Sequence, residues 1–271
     1  MVRIFLLFSV VSLAFFWATT GQAAKGPLFR QGGNPHNLSF SNTGVNYKAT
    51  NATDPRATQV CIFCHTPHNA RAQTPLWNRA DSTQTFGHYT SSTLKINKDA
   101  TAQSLSDYVA EPNGSSRLCL SCHDGVTALG AILHGGFDNS AIEINNSVST
   151  VMTGVKVFNK AKVTSHHHPV SFKYTANVVA RLNTLENPTH TYTLPVNSTS
   201  NARTFIKFDR DQRAQCISCH EPHQSQYLDT VNNPPLTPFW VYDGSGLATV
   251  SPTTVHDEVC TACHNFVSPN P

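Results

Sequence analysis

The chain has 271 residues, a formal net charge of +3, 8 Cys, 14 His and 2 Met. Charged residues make up 13% of it, about half of the roughly 25% usual in a soluble domain. No Lys/Arg run is dense enough for a nucleic-acid surface. All eight cysteines fall in one repeated pattern, which excludes a disulfide scaffold and speaks against a plain hydrolase.

Residues 1–24 read as a secretory leader. Arg3 is the positive n-region, Ile4 to Trp17 the apolar h-region, and Gly21-Gln22-Ala23 supplies small residues for cleavage. Ala23 is the expected last residue removed, with Ala24 as the alternative. The apolar run is about 14 residues, short of the ~20 that span a bilayer. A retained anchor is therefore the weaker reading. No cysteine follows the run, so no lipid anchor is expected, and nothing after residue 24 is long and apolar enough to cross. The expectation is an exported chain, extracellular or at the cell surface, with the periplasm as the alternative.

Beyond the leader, Ser, Thr and Asn are abundant. They favour turns and local side chain-to-backbone hydrogen bonds over helix. A mostly loop fold with short helices and few short strands is expected. Into these loops are set four copies of C-x-x-C-H: Cys61–His65, Cys119–His123, Cys216–His220 and Cys260–His264. The pattern is the attachment signature of c-type haem. The cysteine pairs Cys61/Cys64, Cys119/Cys122, Cys216/Cys219 and Cys260/Cys263 would each carry one haem by two thioether bonds. Four covalent haems follow, and the loops would fold around them. A zinc ribbon also uses C-x-x-C pairs, but it does not require His after the second Cys every time. Export fits as well, since c-haem is attached outside the cytoplasm. The charge then changes sign. Removing Arg3 with the leader takes +3 to +2. Each ferric haem with two neutral His ligands and ionised propionates adds about −1, so four bring the total to roughly −2.

The chain repeats itself. Residues 61–68 read CIFCHTPH and residues 216–223 read CISCHEPH. His36-Asn-Leu-Ser-Phe40 precedes the first and His168-Pro-Val-Ser-Phe172 the second. Thr74-Pro-Leu-Trp77 follows the first and Thr237-Pro-Phe-Trp240 the second. Each set closes with a plainer motif, at Cys119 and at Cys260. Two dihaem modules, 25–150 and 151–271, are expected, with spacers of unequal length looping out.

Each motif supplies a proximal iron ligand: His65, His123, His220 and His264. Met152 is the only Met left once the leader is gone, so at most one haem is His/Met ligated, and low-potential bis-His sites follow. The repeat selects His36, His68, His168 and His223 as the distal ligands. His68 and His223 lie three residues after a proximal His, a reach of only ~10 Å. Each should therefore serve a neighbouring haem. The simplest pairing sets His68 with His123 and His223 with His264. His36 and His168 would then close the first haem of each module, at His65 and His220. Any of His166, His167 and His168 could reach iron, and the match to His36 selects His168. His88, His134, His166, His167, His190 and His256 read as surface or hydrogen-bonding residues. Trp77 and Trp240 are expected to pack on porphyrin faces.

The strings His36-Asn-Leu-Ser39, CIFCHTPHNA (61–70), Pro75-Leu-Trp-Asn78, SRLCLSCHDG (116–125), His168-Pro-Val-Ser-Phe172 and CISCHEPH resemble the doubled-CxxCH multihaem cytochromes. Within them the similarity is to OmcE-type tetrahaem cytochromes of extracellular filaments, over about residues 30–264. The resemblance implies a loop-dominated fold, four bis-His c-haems and polymerisation of copies outside the cell. It further implies that a His of one subunit completes a haem of the next, with His36 as the candidate. The expected partners are other copies of the chain and a redox partner protein or extracellular acceptor.

Three functions compete. The first is an electron-conducting filament subunit. The second is a monomeric periplasmic shuttle, which would dock through charged patches that this sparsely charged chain lacks. The third is a multihaem enzyme, which needs an open iron position. Eight well-placed His fill eight axial places, so the expectation is an electron carrier with no catalytic residues.

Overall fold

The computed structural model describes residues 33–68, 76–89, 111–136, 138–158, 167–185, 190–223, 239–248 and 252–266. The leader, Thr74-Pro75, Thr237-Pro238 and His166 lie outside them. Among the described residues most of the chain is loop. The helices are α1 (Gly114–His123), α2 (Ala176–Leu185), α3 (Cys216–Cys219) and α4 (Pro252–Thr261). The strands are β1 (Phe172–Lys173), β2 (His190–Tyr192), β3 (Arg213–Ala214) and β4 (His264–Phe266). They form two antiparallel pairs, β1 with β3 and β2 with β4. No described helix is long and apolar enough to cross a membrane.

The loops are ordered by the residues that disfavour helix. Side-chain oxygens of Asn34, Asn37, Asn51, Asp54, Asp124 and Asp138 each accept from the N–H two residues on. These are Asx turns, in which a short side chain closes the bend that a helix would otherwise make.

Apolar burial is divided among small clusters, three of them seated on cysteines. Leu38, Ile62, Phe63, Leu129, Ile142 and Ile144 pack against Cys64 and Cys122. Ile206, Tyr242, Val255 and Val259 pack against Cys219. Phe172, Tyr174, Val178 and Leu182 pack against Cys263. Phe158 joins Phe86 and Leu120, and Met152 joins the first cluster, so residues 152–158 pack on the first half.

In the first cluster the chain approaches itself closely at Gly130, which accepts from Ile142 N–H at 2.9 Å. A Cβ at Gly130 would stand 1.8 Å from Ile142 O, and the backbone would have to separate to admit it. Gly130→Ala is expected to cost at least about 3 kcal/mol by overpacking, read as a lower midpoint in denaturant unfolding.

Candidate functional site

Each C-x-x-C-H segment closes a tight turn. His65 N–H donates to Cys61 O at 2.8 Å and His220 N–H to Cys216 O at 3.0 Å. The second segment ends α1 and the fourth begins at the end of α4. A helical turn sets residues i and i+3 on one face, so both sulfurs of a pair lie on one side with the imidazole next to them.

The repeat has a counterpart in the backbone. His65 bridges Trp77, and His220 bridges Trp240. Thr66 N–H donates to Leu76 O and Asn78 N–H to Cys64 O, both at 2.9 Å. In the second half Glu221 N–H donates to Phe239 O at 2.6 Å and Val241 N–H to Cys219 O at 2.9 Å. Leu76 and Phe239, just before each Trp, are both left-handed, with φ of 67° and 68°.

Three pairs of imidazoles face one another. His36 and His123 have ring centres 6.2 Å apart with planes at 77°. His168 and His264 are 6.2 Å apart at 81°. These two pairs are equivalent in the repeat. The third pair, His65 and His223, is 6.1 Å apart at 20° and joins the two halves. A metal–imidazole bond is about 2 Å and the ring centre lies about 1 Å further, so two imidazoles on opposite faces of one metal stand roughly 6 Å apart. The three separations fit a bis-His metal.

The outer ring nitrogens are anchored. Nδ1 of His36 bonds Pro222 O at 3.0 Å, that of His123 bonds Lys156 O at 2.9 Å, and that of His168 bonds Pro169 O at 2.7 Å. His223 Nδ1 bonds Glu221 Oε1 at 2.9 Å. A carbonyl or carboxylate partner on Nδ1 sets the tautomer that leaves Nε2 for a metal. Burial lowers the His36 imidazole to about 4, and burial also lowers His123 and His168. At neutral pH all three are in the uncharged form that ligates.

The ring neighbours differ from the simplest pairing. His36 lies beside His123 rather than His65, and His168 beside His264 rather than His220. His223 lies beside His65 rather than His264. The cause is the way the halves interlock. His36 stacks on Phe239 at 4.1 Å and 9° and bonds Pro222, both in the second half. Expected to reach into another copy, it packs inside its own chain. His68 is exposed, and the His220 ring stacks on Trp240 at 4.9 Å and 7°. His167 packs edge-on to Phe158 at 5.2 Å.

Burial pushes the thiols of Cys64, Cys219 and Cys263 up to about 12. Such thiols stay protonated and make poor nucleophiles. Neighbouring sulfurs link the motifs in chain order. Cys64 senses Cys122, Cys119 is hydrogen-bonded to Cys216, and Cys219 senses Cys260. Among the described residues no three His, Cys, Asp or Glu side chains are grouped to hold a metal ion, whereas a structural zinc site takes four. The indole Nε1 atoms of Trp77 and Trp240 are both buried without a protein acceptor. A planar group bearing carboxylates, seated against His65 and His220, would supply one. Cysteine pairs, opposed imidazoles and these donors together fit c-type haem.

Several residues that hold the site carried no signal in the sequence. Gln215, before the third motif, accepts from Ser116 Oγ at 2.6 Å and Ser171 Oγ at 3.1 Å. It donates to Asp209 at 2.7 Å and Asn113 at 3.1 Å. Ser116 Oγ in turn accepts from Cys216 N–H at 3.0 Å, which ties α1 to α3. Buried Asn78 donates to Ile62 O at 2.8 Å and His134 O at 2.9 Å, and accepts from His134 N–H at 2.8 Å. Their repeat counterparts are Val60 and Val241, so the repeat does not point to them.

Comparison with known protein families and with curated proteins finds no match.

Asn78→Ala leaves the buried Ile62 carbonyl and the half-buried His134 carbonyl and N–H unpaired. Stability should fall by about 2–3 kcal/mol, measured by denaturant unfolding of the holoprotein.

Proposed function

We propose that the chain is a tetrahaem c-type cytochrome that carries electrons. The observation that carries this reading is the set of three imidazole pairs at 6.1–6.2 Å, each beginning at the His of a C-x-x-C-H motif. Cys61/Cys64, Cys119/Cys122, Cys216/Cys219 and Cys260/Cys263 would hold four haems. His65 with His223, His123 with His36 and His264 with His168 would supply the axial ligands of three. The repeat assigns the fourth. His223 stands three residues after His220 and faces His65. By the reciprocal rule, His68 stands three residues after His65 and completes the site of His220.

Haem supplies reversible one-electron transfer when bound. The protein's part is to fix the rings, keep their Nε2 atoms aimed inward through anchored Nδ1 atoms, and string the four motifs in one line. With imidazoles of the chain holding each iron from both sides, the haems would offer substrate no open place, and an enzyme is the weaker reading. The sparse charge favours a subunit that packs on its own copies over a shuttle that docks by charged patches. We therefore place it in an extracellular electron-conducting filament.

The exported protein should carry four covalent haems per chain by intact mass and pyridine haemochrome assay. Its visible and EPR spectra should be low-spin throughout. A chain lacking covalent haem would sink the proposal. His68→Ala should turn one haem of four high-spin while all four stay attached, and an unchanged spectrum would remove His68 as a ligand. Electron micrographs should show polymers, and discrete particles alone under native conditions would favour the shuttle.

A further inference from the structure

The residues at the end of the third motif bear on more than that motif. His220 closes its C-x-x-C-H string, and three residues on His223 faces His65 of the first motif. Between them, Pro222 O accepts from Nδ1 of His36 at 3.0 Å, and His36 faces His123 of the second motif. The segment is held in turn by Glu221 N–H on Phe239 O at 2.6 Å, and the Phe239 ring stacks on His36.

Glu221 stands where the first half has Thr66. The Thr66 hydroxyl engages backbone, donating to His68 O at 2.6 Å and accepting from His68 N–H at 3.4 Å. Glu221 Oε1 likewise accepts from the backbone N–H two residues on, that of His223, at 3.0 Å. The same oxygen meets Nδ1 of the His223 ring at 2.9 Å. An ionised carboxylate can only accept, so Nδ1 carries the proton and Nε2 is left to a metal. One oxygen therefore fixes both the bend and the ring. The rings of His36, His123 and His168 are anchored on carbonyls of Pro222, Lys156 and Pro169. A carbonyl orients an imidazole in the same way but brings no net charge.

Resting on the four-haem reading, we propose that Glu221 is a positioning residue that acts through His223 to lower the reduction potential of the haem His65 and His223 would share. A carboxylate on Nδ1–H draws on that proton and makes the imidazole a stronger donor through Nε2. Reduction adds one electron and removes one positive charge at iron, with no bond made or broken. A stronger donor and a nearby negative charge both favour the ferric form. The His223 and Glu221 side chains are 62% and 44% exposed, and solvent screens the charge, so the effect is modest. Thr66 brings no charge at the equivalent place, so the two halves of the repeat differ in this control.

The test is an EPR-monitored potentiometric titration of the holoprotein and its variants. His223→Ala identifies the haem, as the one that turns high-spin. Glu221→Gln keeps an oxygen acceptor at the same reach without the charge. It should shift that haem about threefold toward its ferrous form, a midpoint roughly 28 mV higher for a one-electron couple. Glu221→Asp keeps the charge and the bend and should restore most of the shift. Unchanged midpoints in a four-haem Glu221→Gln protein would overturn the inference. So would equal shifts in both variants, which mark a structural effect. Should Glu221→Gln fail to assemble, NMR of the unaltered, fully reduced protein decides. A charge-assisted bond is stronger than a neutral one, so the Nδ1–H proton of His223 should resonate downfield of that of His168. The reverse order overturns the proposal. Low-spin haems throughout in His223→Ala remove His223 as a ligand and the inference with it. Absence of covalent haem overturns the four-haem reading itself and is recognised separately by mass.

Discussion

The opposed imidazole pairs are the constraint around which the rest of the chain is arranged. Each requires two rings from distant segments to be held at one separation, 6.1–6.2 Å in all three cases. Side chains alone cannot do this, because free imidazoles rotate and bury poorly. The structure fixes them from behind with carbonyls of Pro222, Lys156 and Pro169 and the carboxylate of Glu221. Each half closes one such pair internally. The third, His65 with His223, crosses between the halves. His36 strengthens that crossing by sitting on Phe239. Halves joined in this way do not behave as independent modules.

A chain with small apolar clusters needs other means of holding such positions. It uses buried polar residues, of which Asn78 and Arg79 bond backbone atoms and Gln215 bonds other side chains. Asn78, Arg79 and Gln215 are each buried to within 2% of full coverage. The partners of Asn78 and Arg79 are carbonyls and an amide of the attachment motifs and of the loops behind them, and those of Gln215 are Ser116, Ser171, Asn113 and Asp209. A buried group bonded this way avoids the desolvation cost of an orphan and also fixes loop backbone that no sheet or long helix would hold.

The architecture was legible in the sequence only where it is local or repeated. The four motifs, the matched Trp77 and Trp240, and the choice of His36, His168 and His223 rest on strings that occur twice. These rings lie beside other imidazoles. Which imidazole each one meets was not legible. That depends on how the halves lie against each other, and no spacing within one half encodes it. The inward-facing polar residues were hidden for another reason. A lone Asn, Arg or Gln in a Ser- and Asn-rich chain reads as surface, and its burial shows only once the groups that satisfy it are in place.

The buried thiols bear on the order of assembly. In the folded chain Cys64, Cys219 and Cys263 are pushed up to about 12 by burial, and Cys119 is raised by its bond to Cys216 and by burial. Thiols held in this state are poor nucleophiles, and Cys64 packs against Ile62 and Phe63 while Cys219 packs against Val259. If thioether bonds are formed at Cys64, Cys219 and Cys263, they form on the open chain, where burial does not hold these thiols protonated. Folding would then close the loops over groups already attached. The small clusters fit that sequence, since one can condense around the first two motifs and one around each of the others before the His65–His223 crossing draws the halves together.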